Sequence, residues 1–268
     1  MIVAWMLATF VAYVAVTFVY VTTIATVGSC FGLAVDRVAV GYGANILGWT
    51  WRGNHWDCSF GWLPLGGYAR FLGGSDEDAD KELPEGKLAF TDIGTFQRLV
   101  TLLSGPLSSL LLGAFLLFAA AQCETPRVSL HSDIEYSDHQ TATLSSNVEL
   151  AVDVFRAIVR RFFLFQPLED WGGWTAAFYQ ISIAGSDNFG IWVLWIGVLA
   201  VLSGLINLLP LGTLIGGQVC AELLFKVLGI SKARREPIEL VYALASFGLL
   251  LIVLARLVFA DFSYWKGL

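Results

Sequence analysis

The chain has 268 residues, 56% of them hydrophobic and only 14% charged, with a net charge of −6. A soluble domain carries about 25% charge, so this balance excludes an ordinary water-soluble globule. The basic residues are also too dispersed for a nucleic-acid surface, and no such partner is expected.

The apolar excess falls in four blocks, each long enough for the ~20 residues that cross a bilayer as helix. They predict an α-helical integral membrane protein with about four transmembrane helices in a single domain, 1–268. The first span, 1–33, holds no Asp, Glu, Lys or Arg. It lacks the basic start and short apolar core of a cleavable signal peptide. Residues 34–73 then turn strand-like. Val35 to Val40 alternates, aromatic runs surround Trp49, Trp56 and Trp62, and Gly53-Asn54 and Gly66-Gly67 supply turns. About four short strands are predicted, a membrane-associated β-meander between helices 1 and 2. Backbone of that kind at membrane depth requires cover from protein or from a water-filled cavity.

Residues 74–95 form an acidic loop carrying Asp76, Glu77, Asp78, Asp80, Glu82 and Glu85. It lacks EF-hand spacing and reads as a solvated linker. The second span is 96–123. Residues 124–189 are mostly polar, with a loop or short hairpin at 129–143. An amphipathic helix is predicted over about 147–165, where Val148, Val152, Phe155, Val159 and Phe162 recur at three- and four-residue steps. Its apolar face suits a membrane surface, a partner or its own bundle. The third span is 190–214, a helix or loop follows at 215–236, and the fourth span is 237–260.

Lys and Arg number ten around the first and third connections and five on the opposite side. The positive-inside bias therefore places the β-loop in the cytoplasm and both termini outside. Cys30, Cys58, Cys123 and Cys220 have neither a disulfide framework nor CxxC spacing and read as structural thiols.

One segment carries more than composition: Asn207-Leu208-Leu209-Pro210-Leu211-Gly212-Thr213-Leu214-Ile215-Gly216-Gly217. It resembles the NxxPxxxLDGG signature of site-2 proteases, the intramembrane zinc metalloproteases. Further matches follow in family order. Gly32-Leu33-Ala34-Val35 through Gly41-Tyr42-Gly43 resembles GVxVxxFxxGFG. Pro64-Leu65-Gly66-Gly67-Tyr68-Ala69-Arg70 resembles PLGGYVK. Phe96-Gln97-Arg98 with Ser104-Gly105-Pro106 resembles WQR…AGP, and Ile181-Ser182-Ile183-Ala184 also has a counterpart.

In the family, HExxH lies on the first helix, twelve residues before the Gly of GVxV. Counting back from Gly32 gives Tyr20, Val21, Thr22, Thr23 and Ile24. Zinc needs two imidazoles at i and i+4, and a Glu between them must take a proton from the metal-bound water. Tyr20, Val21 and Ile24 supply neither. The third ligand, the Asp of LDG, is replaced by Ile215. The resemblance thus implies a degenerate member with no catalytic residues, no metal and no cofactor. Tyr20, Thr22 and Thr23 bond either in the old pocket or back to their own helix, the latter favoured.

Peptide handling is the activity that such a chain would retain. In the family, the Asn and the β-loop hold an extended substrate segment. The resemblance carries this to Asn207, Pro210, Gly66, Gly67 and Tyr68. Alternatively, Asn207 caps or bridges helices around the Pro210 break. A relocated metal site would have to use His55, His131 or His139, of which only His131 to His139 sits in a run with several carboxylates. The functional expectation is a non-catalytic subunit or scaffold of a membrane complex. A pseudoprotease that binds transmembrane peptides is the alternative, and an active metalloprotease with an atypical site is the third. The expected partners are the bilayer, other membrane subunits and, for the second reading, transmembrane peptides.

Overall fold

The computed structural model describes residues 2–51, 56–73, 83–123, 125–130, 134–163, 174–212, 214–230 and 232–267. In chain order the elements are α1 (Ile2–Cys30), β1 (Val35–Trp51), β2 (Trp56–Phe71), α2 (Thr95–Gln122), β3 (Pro126–Leu130) and β4 (Ile134–Thr141). They continue with α3 (Leu144–Phe163), α4 (Trp174–Asp187), α5 (Phe189–Asn207), α6 (Ile215–Val227) and α7 (Lys232–Gly267). Four stretches are long and apolar enough to span a bilayer: α1, α2, α5 and Leu240–Ala260 within α7. The molecule is a helical membrane protein with a small β-element, as composition predicts. The acidic run 74–82, His55 and His131 lie outside the described residues.

The centre of the bundle is α5, which packs lengthwise on α2. Small residues allow this approach. A Cβ on Gly204 would lie 2.9 Å from the Pro106 carbonyl oxygen, and one on Gly113 would lie 2.8 Å from the Val201 nitrogen. In a bilayer, where lipid tails are as apolar as leucine, close packing of this kind drives helix association. By contrast α1 and α7 lie at the periphery, and Leu240, Val241, Leu244 and Phe247 of α7 are all exposed.

Only one face of α1 turns inward. Val16 and Thr17, Tyr20 and Val21, Ile24 and Ala25, and Gly28 are buried at helical intervals. Against this face lies the β1–β2 hairpin, which contributes Val35, Val38, Val40, Cys58 and Phe71 to a shared core with Tyr20, Val21 and Ile24. The hairpin is interrupted by register shifts, so Arg37 to Val40 each have two partners, one within 67–70 and one within 57–60. Segment 57–60 pairs in turn with 47–50. Four short strand segments therefore share the sheet, although only two continuous strands carry them. Residues 83–94 cover its start: Leu88 bridges Leu33, and Phe90 N–H donates to the Leu72 carbonyl at 2.9 Å.

The amphipathic helix α3 has three possible resting places by sequence, and it docks on its own bundle. Leu150, Ala151 and Val154 pack with Leu117, Leu194, Trp195, Val198 and Leu202. Asn147, 2% exposed, donates from Nδ2 to the Leu117 carbonyl at 3.0 Å. A buried amide finds no such acceptor in lipid, which fixes this face to protein. The helix is therefore not an open docking element for a partner along that face.

Helix α5 stops at Asn207, seven residues before the apolar block ends. Pro210 cannot donate to a continuing ladder, and the chain closes in tight turns, with Leu211 N–H on the Leu209 carbonyl and Leu214 N–H on the Leu211 carbonyl. Then α6 starts against this elbow. Cβ atoms on Gly216 and Gly217 would collide with the carbonyls of Leu208 and Leu211. Only glycine allows that contact.

Candidate functional site

The positions singled out by sequence meet on the inner face of α1. Tyr20, Val21 and Ile24 belong to one buried cluster, and Ile215 at the first residue of α6 packs on it. Asn207, at the last turn of α5, lies beside them. The Tyr20 hydroxyl donates to Asn207 Oδ1 at 3.2 Å, and Asn207 Nδ2 donates to the Ser203 carbonyl at 2.9 Å. Of the two alternatives for the polar groups, the threonines take their own helix: Thr22 donates to the Phe18 carbonyl at 2.6 Å and Thr23 to the Val19 carbonyl at 2.7 Å. Tyr20 instead ties α1 to α5.

The wall behind Tyr20 is Gly105 of α2. A Cβ there would sit 2.6 Å from Ile24 Cδ1 and 2.8 Å from Tyr20 Cε2. Sequence reading placed Gly105 only within the Ser104-Gly105-Pro106 stretch that resembles AGP. Its closeness to Tyr20 was readable from no spacing, because the two helices meet through tertiary packing.

On the opposite side the hairpin comes within contact. A Cβ on Gly67 would meet the Ala39 carbonyl and would lie 2.9 Å from Val21 Cγ1 and 3.1 Å from Thr17 Cγ2. Gly66 adopts φ +108°, a left-handed value that glycine tolerates. Tyr68 stacks on Tyr42, with ring centroids 5.9 Å apart. The Cys58 thiol is raised above its ordinary value, first by burial and then by Asp57. The two candidate peptide-handling groups thus reach consecutive residues of α1: Asn207 lies on Tyr20, and Gly67 lies on Val21.

Pro210 stands apart from that meeting point. Its carbonyl accepts from the Tyr242 hydroxyl of α7. Close by, Gly212 N–H donates to Ser246 Oγ at 2.7 Å. These ties from α7 to the elbow had no sequence signal beyond two polar residues in an apolar block.

Zinc does not fit the residues at these positions. Val21, Ile24 and Ile215 offer hydrocarbon only, and the one hydroxyl, on Tyr20, is engaged with Asn207. Structural and catalytic zinc sites alike need three or more nitrogen, sulfur or carboxylate donors. Among the described residues no three His, Cys, Asp or Glu side chains group as a ligand set. His139 lies in β4, but its side chain is outside the described part.

No curated protein matches the chain. A family model does match, over residues 25–254. Its first matched residue follows directly on Ile24, and it takes in the hairpin, α2, α5, the elbow and most of α7. With the greater part of the molecule matched in this way, the chain belongs to Peptidase family M50, the site-2 protease family.

Proposed function

We propose that this chain is a non-catalytic site-2 protease homologue that acts as a structural or scaffold subunit of a membrane protein complex. One observation carries the reading: Tyr20, Val21, Ile24 and Ile215 share a hydrocarbon cluster. A hydrolase of this class needs ligands there for zinc and a carboxylate for its water. Replacing ionisable groups by Val and Ile also removes a large desolvation cost inside the bilayer, so the altered cluster favours stability. The apolar faces of α1 and α7 are broad enough to serve both lipid and neighbouring subunits. The dispersal of Lys and Arg supports a cytoplasmic β-loop with extracytoplasmic termini.

A second reading is a regulatory pseudoprotease that binds transmembrane peptides. It is favoured by the convergence of Asn207 and Gly67 on one turn of α1. The test is purification in mild detergent, followed by zinc analysis, peptide hydrolysis and mass spectrometry of whatever copurifies. The scaffold reading expects fixed stoichiometric partners, substoichiometric zinc and no hydrolysis. One zinc per chain together with cleavage of a transmembrane peptide would defeat it.

A further inference from the structure

Within hydrocarbon, an unwound peptide needs partners for its own N–H and C=O groups. An asparagine amide offers a matching acceptor and donor. At Asn207 both ends are already engaged, Oδ1 by Tyr20 and one N–H by Ser203. The Tyr20 ring is 5% exposed and is pressed between Gly105 and the cluster of Val21 and Ile24, which leaves it no adjacent space.

We propose that Tyr20 is a built-in stopper: its phenol occupies the Asn207 carbonyl that an extended peptide segment would address on entering between α1 and the elbow. Any such segment paired near Gly67 passes this point, because Gly67 lies on Val21 and Thr17, next to Tyr20. To engage Asn207 it must displace the phenol, which leaves a buried hydroxyl without a partner. The exchange therefore brings little gain. The inference rests on the non-catalytic reading, since a phenol fits position 20 only where no metal is held. It also predicts that the scaffold role dominates over peptide capture in the native chain.

The experiment uses the full chain in phosphatidylcholine vesicles. The probe is a synthetic transmembrane peptide with a central Gly-Pro pair and a benzophenone side chain beside it. Tyr20→Phe removes one oxygen and keeps the ring. Its photo-crosslinked yield is expected to exceed that of the native chain about fivefold, the ratio set by one net hydrogen bond. Adding Asn207→Leu should return the yield to the native level, and Asn207→Leu alone should leave it there. Tyr20→Met provides the same comparison if the Phe variant is not recovered. Equal yields from native and Tyr20→Phe chains, or a native yield abolished by Asn207→Leu alone, overturn the stopper while leaving the non-catalytic reading intact. Cleavage of the peptide overturns that reading itself, and the stopper with it.

Discussion

Two aromatic residues tie α1 into the bundle, three turns apart on one face, and they do so differently. Near the start of α1, Trp192 of α5 donates from Nε1 to Thr9 Oγ1 at 2.9 Å, and Thr9 lies 3.4 Å from Ser182 Oγ of α4. Further along, Tyr20 donates to Asn207. Each ring rests on a glycine, Trp192 on Gly185 and Tyr20 on Gly105. The first tie is a polar knot among three helices, whereas the second is a single bond set in hydrocarbon. A hydroxyl knot needs only neighbours within the bundle. The isolated bond at Tyr20 has no such neighbours, and it joins only α1 and α5.

The largest expected effect comes from filling the glycine seat at Tyr20. Gly105→Val adds atoms where even a Cβ approaches Ile24 within 2.6 Å and Tyr20 within 2.8 Å. Overpacking of this kind costs about 3 kcal/mol. At the knot, Gly185→Ala adds a single carbon that meets Trp192 at 2.9 Å, and is expected to cost about 1 kcal/mol. Thermal unfolding in detergent separates the two. A Gly185→Ala loss as large as that of Gly105→Val would show that the seats are equally tight and erase this contrast.

A smaller effect distinguishes the bonds themselves. Thr9→Val keeps the shape but leaves Trp192 Nε1 and Ser182 facing a methyl group. Tyr20→Phe removes one donor from a half-buried amide. Interhelical hydrogen bonds in membranes are worth about 0.6 kcal/mol each on average. Losing two contacts and stranding an indole N–H should therefore cost about 1.5 kcal/mol, against about 0.6 for Tyr20→Phe. Melting curves of the two variants and of their double variant check this. The double loss should equal the sum, because the sites share no partner.

How much of this was legible beforehand depends on what each feature obeys. The four apolar blocks were readable because bilayer thickness sets a length that composition cannot disguise. Tyr20, Val21, Ile24 and Ile215 were singled out through the family resemblance, by counting from Gly32 and from the Asn207 segment, and the structure brings the four together. The bond from Tyr20 to Asn207 was not readable, because it joins residues 187 apart in sequence and periodicity carries no information across that gap. The docking of α3 was readable in part. Its predicted apolar stripe suits lipid and protein alike, yet Val148 on that stripe is exposed, and the docked face runs through Leu150, Ala151, Val154 and Asn147, whose buried amide asks for a protein acceptor. That residue was the available signal. The two-sided pairing of Arg37 to Val40 follows from register shifts, which alternation alone does not fix.

The smallest expected effect is a pH dependence confined to the Tyr20 side. The thiol of Cys58 belongs to the same buried cluster as Tyr20, while the knot at Thr9 has no titratable member. Burial raises the Cys58 thiol above its ordinary value of about 8.5. The folded chain therefore holds the proton after the unfolded chain has lost it. The stabilisation is complete below about pH 8.5 and fades as pH rises toward the higher folded value. Stability should thus fall gently as pH rises above about 8.5, and Cys58→Ala should flatten that slope. The same burial predicts slow maleimide labelling of Cys58 at pH 8, with Cys30, Cys123 and Cys220, all exposed, reacting first. A slope unchanged by Cys58→Ala, with Cys58 labelled as fast as the other three, would mean that solvent reaches the hairpin side of the cluster. The hydrocarbon setting of the Tyr20 bond would then be open to water, and its contrast with the knot would disappear.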